Sequence, residues 1–202
     1  LTLTLPTTIG TNGQHMKVDG SGNLGWETPA TVKLDDSNST STVDDIIVDS
    51  LDTTTYRSFI IHFAGQPVTD NQDLRFRWRT GGSDESTGGG YKWGIHGVTT
   101  NTGSYYDSAA EENYANVIQN AGNATGEGWR MHLQITPHAG SEPDYMGNFG
   151  SSVGFRTDSS GNGRTEVGSF YYTSEVSPNG FKLYAASGGI ASHNYTIWGV
   201  KK

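Results

Sequence analysis

Gly150-Ser151-Ser152-Val153-Gly154 spells the G-x-S-x-G string that presents a nucleophilic serine, here Ser152, in hydrolases that use a strained strand-to-helix turn. Phe155-Arg156-Thr157 instead continues as strand sequence and meets a turn at Asp158-Ser159-Ser160-Gly161, so Ser152 reads as a strand residue. Asp158-Ser159-Ser160-Gly161-Asn162-Gly163 places oxygen-bearing side chains at the first, third and fifth places and glycine at the sixth, as a calcium loop does. The twelfth place is Ser169 rather than a bidentate carboxylate, and Glu166 is the one acid near enough to help, so a hairpin turn is expected. Gly20-Ser21-Gly22-Asn23-Leu24-Gly25 fits the dinucleotide string G-x-G-x-x-G, but Trp26-Glu27-Thr28-Pro29 cannot open the helix whose N-terminus would face a pyrophosphate.

The remaining titratable residues make no local set. None of the six histidines (His15, His62, His96, His132, His138, His193) is spaced from another as a zinc pair, and there is no cysteine. His62 and His132 lie in strand-like runs and read as core or sheet-face residues. The adjacent acids Asp84-Glu85 and Glu111-Glu112 point apart, unlike the opposed carboxylates of a glycosidase. Three N-x-[ST] sequons, at Asn38, Asn123 and Asn194, are of the kind chance supplies in an Asn- and Thr-rich chain. No catalytic residue, metal or cofactor is therefore assigned. A net charge of −8 and a pI near 5.1 argue against a nucleic-acid partner. The one basic cluster, Arg75, Arg77 and Arg79, shares a strand face and is expected to be solvated, with an anion patch as the sharper alternative.

Aromatic residues beside glycine-rich segments are the remaining candidates for binding. Aromatic faces with nearby amides, carboxylates and hydroxyls stack a sugar ring and satisfy its hydroxyls. Trp93, Asn101, Tyr105, Tyr106 and Asp107 form the candidate ligand set, on the loop from Thr99 to Asp107 and the strand before it. The loop from Gly81 to Gly90 lies at the other end of that strand. If the segment is extended, Tyr105 and Tyr106 face opposite ways.

These residues need elements to hold them. Nine segments read as strands: Val43 to Val48, Tyr56 to Ala64, Leu74 to Thr80, Tyr91 to Val98, Trp129 to Thr136, Ser152 to Thr157, Arg164 to Tyr172, Phe181 to Ala186 and His193 to Val200. Leu74-Arg75-Phe76-Arg77-Trp78 shows the alternation most clearly. One helix is expected, because Ser108-Ala109-Ala110-Glu111 is a capping box and Ala110, Tyr114, Val117, Ile118 and Ala121 follow at helical spacing before Gly122. The fold class is all-β, a two-sheet antiparallel sandwich of jelly-roll type with that short helix. A turn-rich β leader over residues 1–29 precedes the sandwich of residues 30–202, with the polar tract Asp35 to Thr42 marking the change.

The leader carries two short extended segments with turns at Asn12-Gly13 and Asp19-Gly20. Gly10-Thr11-Asn12-Gly13-Gln14, Asp19-Gly20-Ser21-Gly22 and Leu24-Gly25-Trp26 resemble the G-x-N-G-Q-x-x-x-x-D-G-x-G-x-L-x-W segment that precedes the distal domain in tail-fibre and related appendage proteins of bacteriophages. The later chain, with Tyr56 to Ile61, Leu74 to Gly82 and the closing Ile197-Trp198-Gly199-Val200-Lys201, is similar to jelly-roll-type domains of phage structural proteins. The resemblance implies a non-catalytic virion component, a fibre or appendage subunit at the particle surface. Its expected partners are other virion proteins, host surface glycans and further copies of itself, with a trimer favoured. Leu3, Leu5, Ile9, Met16, Val18 and Trp26 are the expected oligomer contacts, since so small a leader has no core for them. A secreted carbohydrate-binding module is the alternative, and a jelly-roll glycan lyase or hydrolase comes third. No run approaches a membrane span, so no membrane insertion is expected. Leu1 is not an initiator methionine, which fits a portion of a longer chain.

Overall fold

A computed structural model describes residues 4–11, 13–86, 89–100, 103–138 and 147–202. Its strands are β1 (His15–Val18), β2 (Leu24–Glu27), β3 (Thr31–Ser39), β4 (Asp45–Val48), β5 (Tyr56–Pro67), β6 (Gln72–Thr80), β7 (Ser83–Asp84) and β8 (Tyr91–Thr99). They continue as β9 (Gly103–Glu112), β10 (Ala115–Ala121), β11 (Gly128–Thr136), β12 (Asn148–Thr157), β13 (Gly163–Tyr172), β14 (Gly180–Ala185) and β15 (Ile190–Lys201). All nine segments with strand-like alternation are strands. β1 and β2 form a two-stranded ribbon whose turn is held by Asp19, with Oδ1 accepting from Ser21 N–H at 2.8 Å and Asn23 N–H at 2.9 Å.

The other strands form two antiparallel sheets packed as a sandwich. The large sheet has eight strands in the order β3-β15-β5-β11-β12-β13-β8-β9, and the small one runs β10-β6-β14-β4 with β7 on β6. The chain changes sheet between β3 and β4, β4 and β5, β5 and β6, β7 and β8, β9 and β10, β10 and β11, β13 and β14, and β14 and β15. This double-ribbon winding is that of a jelly roll. Two inserted hairpins, β8–β9 and β12–β13, continue the large sheet beyond β11.

The core lies between the sheets because each strand turns its alternate apolar residues inward: Phe59, Ile61 and Phe63 on β5, Trp129, Met131 and Leu133 on β11, Leu74, Phe76 and Trp78 on β6. Burial of one such side chain contributes roughly 1.5–3 kcal/mol. Phe76 and Phe170 meet across the gap with ring centroids 4.7 Å apart, and Trp78 N–H donates to the Tyr91 hydroxyl at 2.7 Å.

Three expectations need correction. No helix occurs among the described residues, and Ser108 to Ala121 forms β9, a bend and β10. Glu111 and Asn120 have positive φ (64° and 48°), which no helix allows, and every residue from Ala115 to Gln119 is buried. β10 is covered on both faces, so its apolar run has no helical stripe to display. The polar tract Asp35 to Thr42 is largely strand: β3 is an edge, where charged side chains discourage pairing with another chain. The Arg75, Arg77 and Arg79 face is engaged rather than solvated. Arg75 lies 3.8 Å over the Tyr114 ring, Arg77 Nε donates to Asn113 O at 2.8 Å, and Arg79 Nε donates to Asp49 Oδ1 at 2.6 Å while Nη1 pairs with Asp84.

Candidate functional site: a polar groove at one end of the large sheet

The outward positions of the large sheet line up in rows because the ladders are in register. One row reads Asn38 (β3), Asn194 (β15), Ala64 (β5), Arg130 (β11) and Phe155 (β12), each residue directly opposite the next. Neighbouring strands lie about 4.8 Å apart, so Asn194 and Arg130 stand roughly 10 Å apart with only a methyl group between them. The dip over Ala64 continues into a cavity of about 490 Å³, walled at the sheet end by Ser39 and Thr40 and by the segment Thr125 to Gly128.

The wall is built by a close approach of backbones. Gly128 has φ 134°, and a Cβ there would overlap the Gly65 carbonyl oxygen, so any larger residue would push the wall off β5. Gln66 fastens the same segment by donating through Nε2 to Asn123 O at 2.9 Å and Ala124 O at 2.7 Å. Glu127 Oε2 accepts from Ala124 N–H at 2.8 Å.

Polar groups in the groove are left uncommitted. Arg130, Asn38 and Asn194 are exposed, and among the described residues their side chains have no hydrogen bond or ion pair. His193 is 8% exposed, contacts Ser37 Oγ through Nε2 at 3.3 Å, and keeps a buried Nδ1 with no partner. Burial holds its pKa below the usual histidine value. Phe155, 45% exposed, supplies the one aromatic ring of the lining that water reaches freely. The arrangement offers a cation, two amides, a carboxylate and a ring face around a low floor. It is suited to holding a small polar molecule and contains no paired acid and base.

The residues singled out from sequence lie elsewhere. Trp93 is in the core. Tyr105 turns inward over Gly97, its register partner, and donates its hydroxyl to Glu166 Oε1. Burial first, and then the Glu166 carboxylate, push the Tyr105 phenol above the ordinary tyrosine range. Tyr106 points out and is 70% exposed, and Asp107 accepts from Gln119 Nε2 at 2.5 Å. Asn101 lies outside the described residues. Tyr105 and Tyr106 thus do face opposite ways, but on strand β9 rather than on a loop. Val98 and Ser104, beside the β8–β9 turn, continue the groove row across the sheet through Thr165. In the leader, Leu5, Ile9, Met16 and Val18 are exposed, whereas Trp26 folds back over Gly10 and donates to Thr8 O at 2.8 Å. Leu3 lies outside the described residues.

The strings resembling catalytic motifs are absorbed by the fold. Ser152 is 2% exposed and donates through Oγ to Val117 O at 2.9 Å. Asp158 closes its turn, with Oδ1 accepting from Ser160 and Asn162 N–H at 3.0 Å each and Oδ2 facing Arg156 at 3.7 Å and Arg164 at 3.9 Å. His62 and His132 are cross-strand neighbours on the outer face, with ring centroids 4.9 Å apart.

Local spacing carries no trace of the groove, because its row draws one residue from each of five strands. Alternation alone places Ala64, Arg130 and Phe155 on outward faces, and only the register makes them neighbours. Comparison of the chain with family models, curated proteins and solved structures found no match.

Proposed function

We propose that this chain is a non-catalytic component of a phage virion appendage, a fibre-type subunit whose leader joins copies of the chain and whose sandwich is displayed for adhesion or architecture. The observation that carries the reading is the leader. Ile9 is 95% and Leu5 70% exposed in the single chain, with Met16 and Val18 about half exposed on a ribbon too small to bury them. Apolar side chains displayed this fully are stabilised when a neighbouring copy covers them. The appendage character itself rests on the leader's resemblance to the segments that precede distal fibre domains.

Sedimentation velocity at micromolar concentration tests this. The chain is expected to run as a homo-oligomer, with a trimer favoured, and Met16→Lys with Val18→Lys should shift it to monomer without altering the sandwich spectrum. A monomeric parent chain overturns the reading. It would favour the second one, a secreted carbohydrate-binding module working as a single copy, for which the groove around Arg130 and Phe155 speaks.

A further inference from the structure

The groove on the outer face brings a guanidinium, two amides, a carboxylate and an aromatic ring into one lining, and their chemistry defines a ligand. We infer that it binds an acidic sugar of the hexuronate class, with the carboxylate on Arg130, the ring against Phe155 and the hydroxyls on Asn38, Asn194 and Glu127. This deepens the proposed function by naming what the displayed sandwich holds.

Arg130 sets the charge. In a chain of net charge −8, Arg57, Arg75 and Arg130 are the arginines without a carboxylate partner among the described residues, and of these Arg130 alone lines the groove, at the centre of the row, whereas Arg77, Arg79, Arg156 and Arg164 all have one. A guanidinium presents a planar fork of N–H donors that matches a carboxylate in two parallel hydrogen bonds. One guanidinium in the groove lining suits one carboxylate and not a polyphosphate or nucleic acid, which need several cations together.

The surroundings select a sugar rather than a bare anion. Phe155 is the immediate cross-strand neighbour of Arg130; its ring leans over Gly163 on the far strand, and the part of it that water reaches borders the groove. Ala64, on the other side of Arg130, leaves a gap about as broad as a pyranose ring. Beyond it the Asn194 and Asn38 amides each offer a donor and an acceptor, which hydroxyls use in either direction. Glu127 Oε1 can accept a further hydroxyl, because Ala124 N–H engages the other oxygen. The cavity of about 490 Å³ falls within the usual range for small-molecule sites.

The test uses the full chain and three titrants, sodium galacturonate, its neutral methyl ester and galactose, followed by NMR chemical-shift changes. Galacturonate is expected to bind about tenfold more tightly than either neutral sugar, the gain of a charge-assisted pair. Arg130→Gln should remove that preference, Arg130→Lys should restore part of it, and Phe155→Ala should weaken all three titrants. Arg57→Gln, an exposed charge change outside the groove, should leave binding as it was. Equal affinity for acid and ester, unchanged binding in Arg130→Gln, or no shifts at about 20 mM galacturonate overturns the inference. Sedimentation of the same samples keeps the two readings apart: a monomer that binds galacturonate defeats the appendage reading alone, and an oligomer that does not defeats this one alone.

Discussion

Arg156 Nε donates to Glu166 Oε1 at 3.1 Å between neighbouring strands, with both side chains sealed from water between β10 and the extended part of the large sheet. Glu166 Oε2 accepts Gln119 N–H at 2.9 Å, and Arg156 Nη1 donates to Asn120 O, so the pair pins β10 over β12 and β13. Removing Glu166 leaves the buried Arg156 with only the longer contact to Asp158 at 3.7 Å, and removing Arg156 takes from the buried Glu166 its one ion pair among the described residues. Glu166→Gln is expected to cost about 3–5 kcal/mol in urea unfolding, and Arg156→Met with Glu166→Gln together should cost less than the sum of the two single changes.

Tyr105 and Tyr106 should separate by function despite their adjacency. Tyr105 fills the space that Gly97 leaves and bonds Glu166, so Tyr105→Ala is expected to cost about 2 kcal/mol or more. Tyr106→Ala should change stability by about 0.5 kcal/mol or less, which makes it the clean probe of attachment on this face. Parallel urea titrations check both, and equal losses would contradict the placement of the two rings.

Acidification from pH 7 to pH 5 should lower the Tm. Burial first, and then the neighbouring His62, hold the His132 pKa below 6.5, and burial lowers that of His193. The unfolded chain therefore takes up these protons more readily, so stability present above pH 6.5 is lost as pH falls through the depressed folded values. Asp73 opposes this further into acid, because burial raises its carboxyl pKa in the folded chain. Calorimetry at half-unit pH steps should show a shallower slope in His132→Gln.

Asp158 should act as a turn residue. Burial alone would raise its pKa, but the Asn162 and Ser160 N–H groups and Arg156 outweigh that and hold it low. Asp158→Ala is expected to reduce Tm by about 2–4 °C, the shift for roughly 1 kcal/mol in a chain of this size. Chelator should leave the parent Tm unchanged, and a fall reversed by calcium would make the turn a metal site.

Much of the fold could be read from the chain because local patterning and turn chemistry act over a few residues. Alternation in Leu74 to Trp78 marks a strand wherever that strand sits. Asp19-Gly20 turns a hairpin through bonds to its own Ser21 and Asn23. These signals produced the all-β class, the nine strands and the leader ribbon. They failed where burial on two sides erased the period, as in Ala115 to Gln119, and where an edge strand, Thr31 to Ser39, wore the polar composition of a linker.

The groove depended on the tertiary structure throughout. Asn38, Asn194, Ala64, Arg130 and Phe155 become neighbours only when five strands distant in sequence pair in one register, and a shift of one residue in any strand would turn its contribution into the core. The same holds for Arg130, a routine outward charge in its own strand. It stands uncommitted because the pairing sets Ala64 on one side of it and Phe155 on the other, with no carboxylate opposite to claim it. Sequence alone decided which side chains each strand turns to water, since alternation is a property of the backbone, whereas strand order and register decided which of them meet.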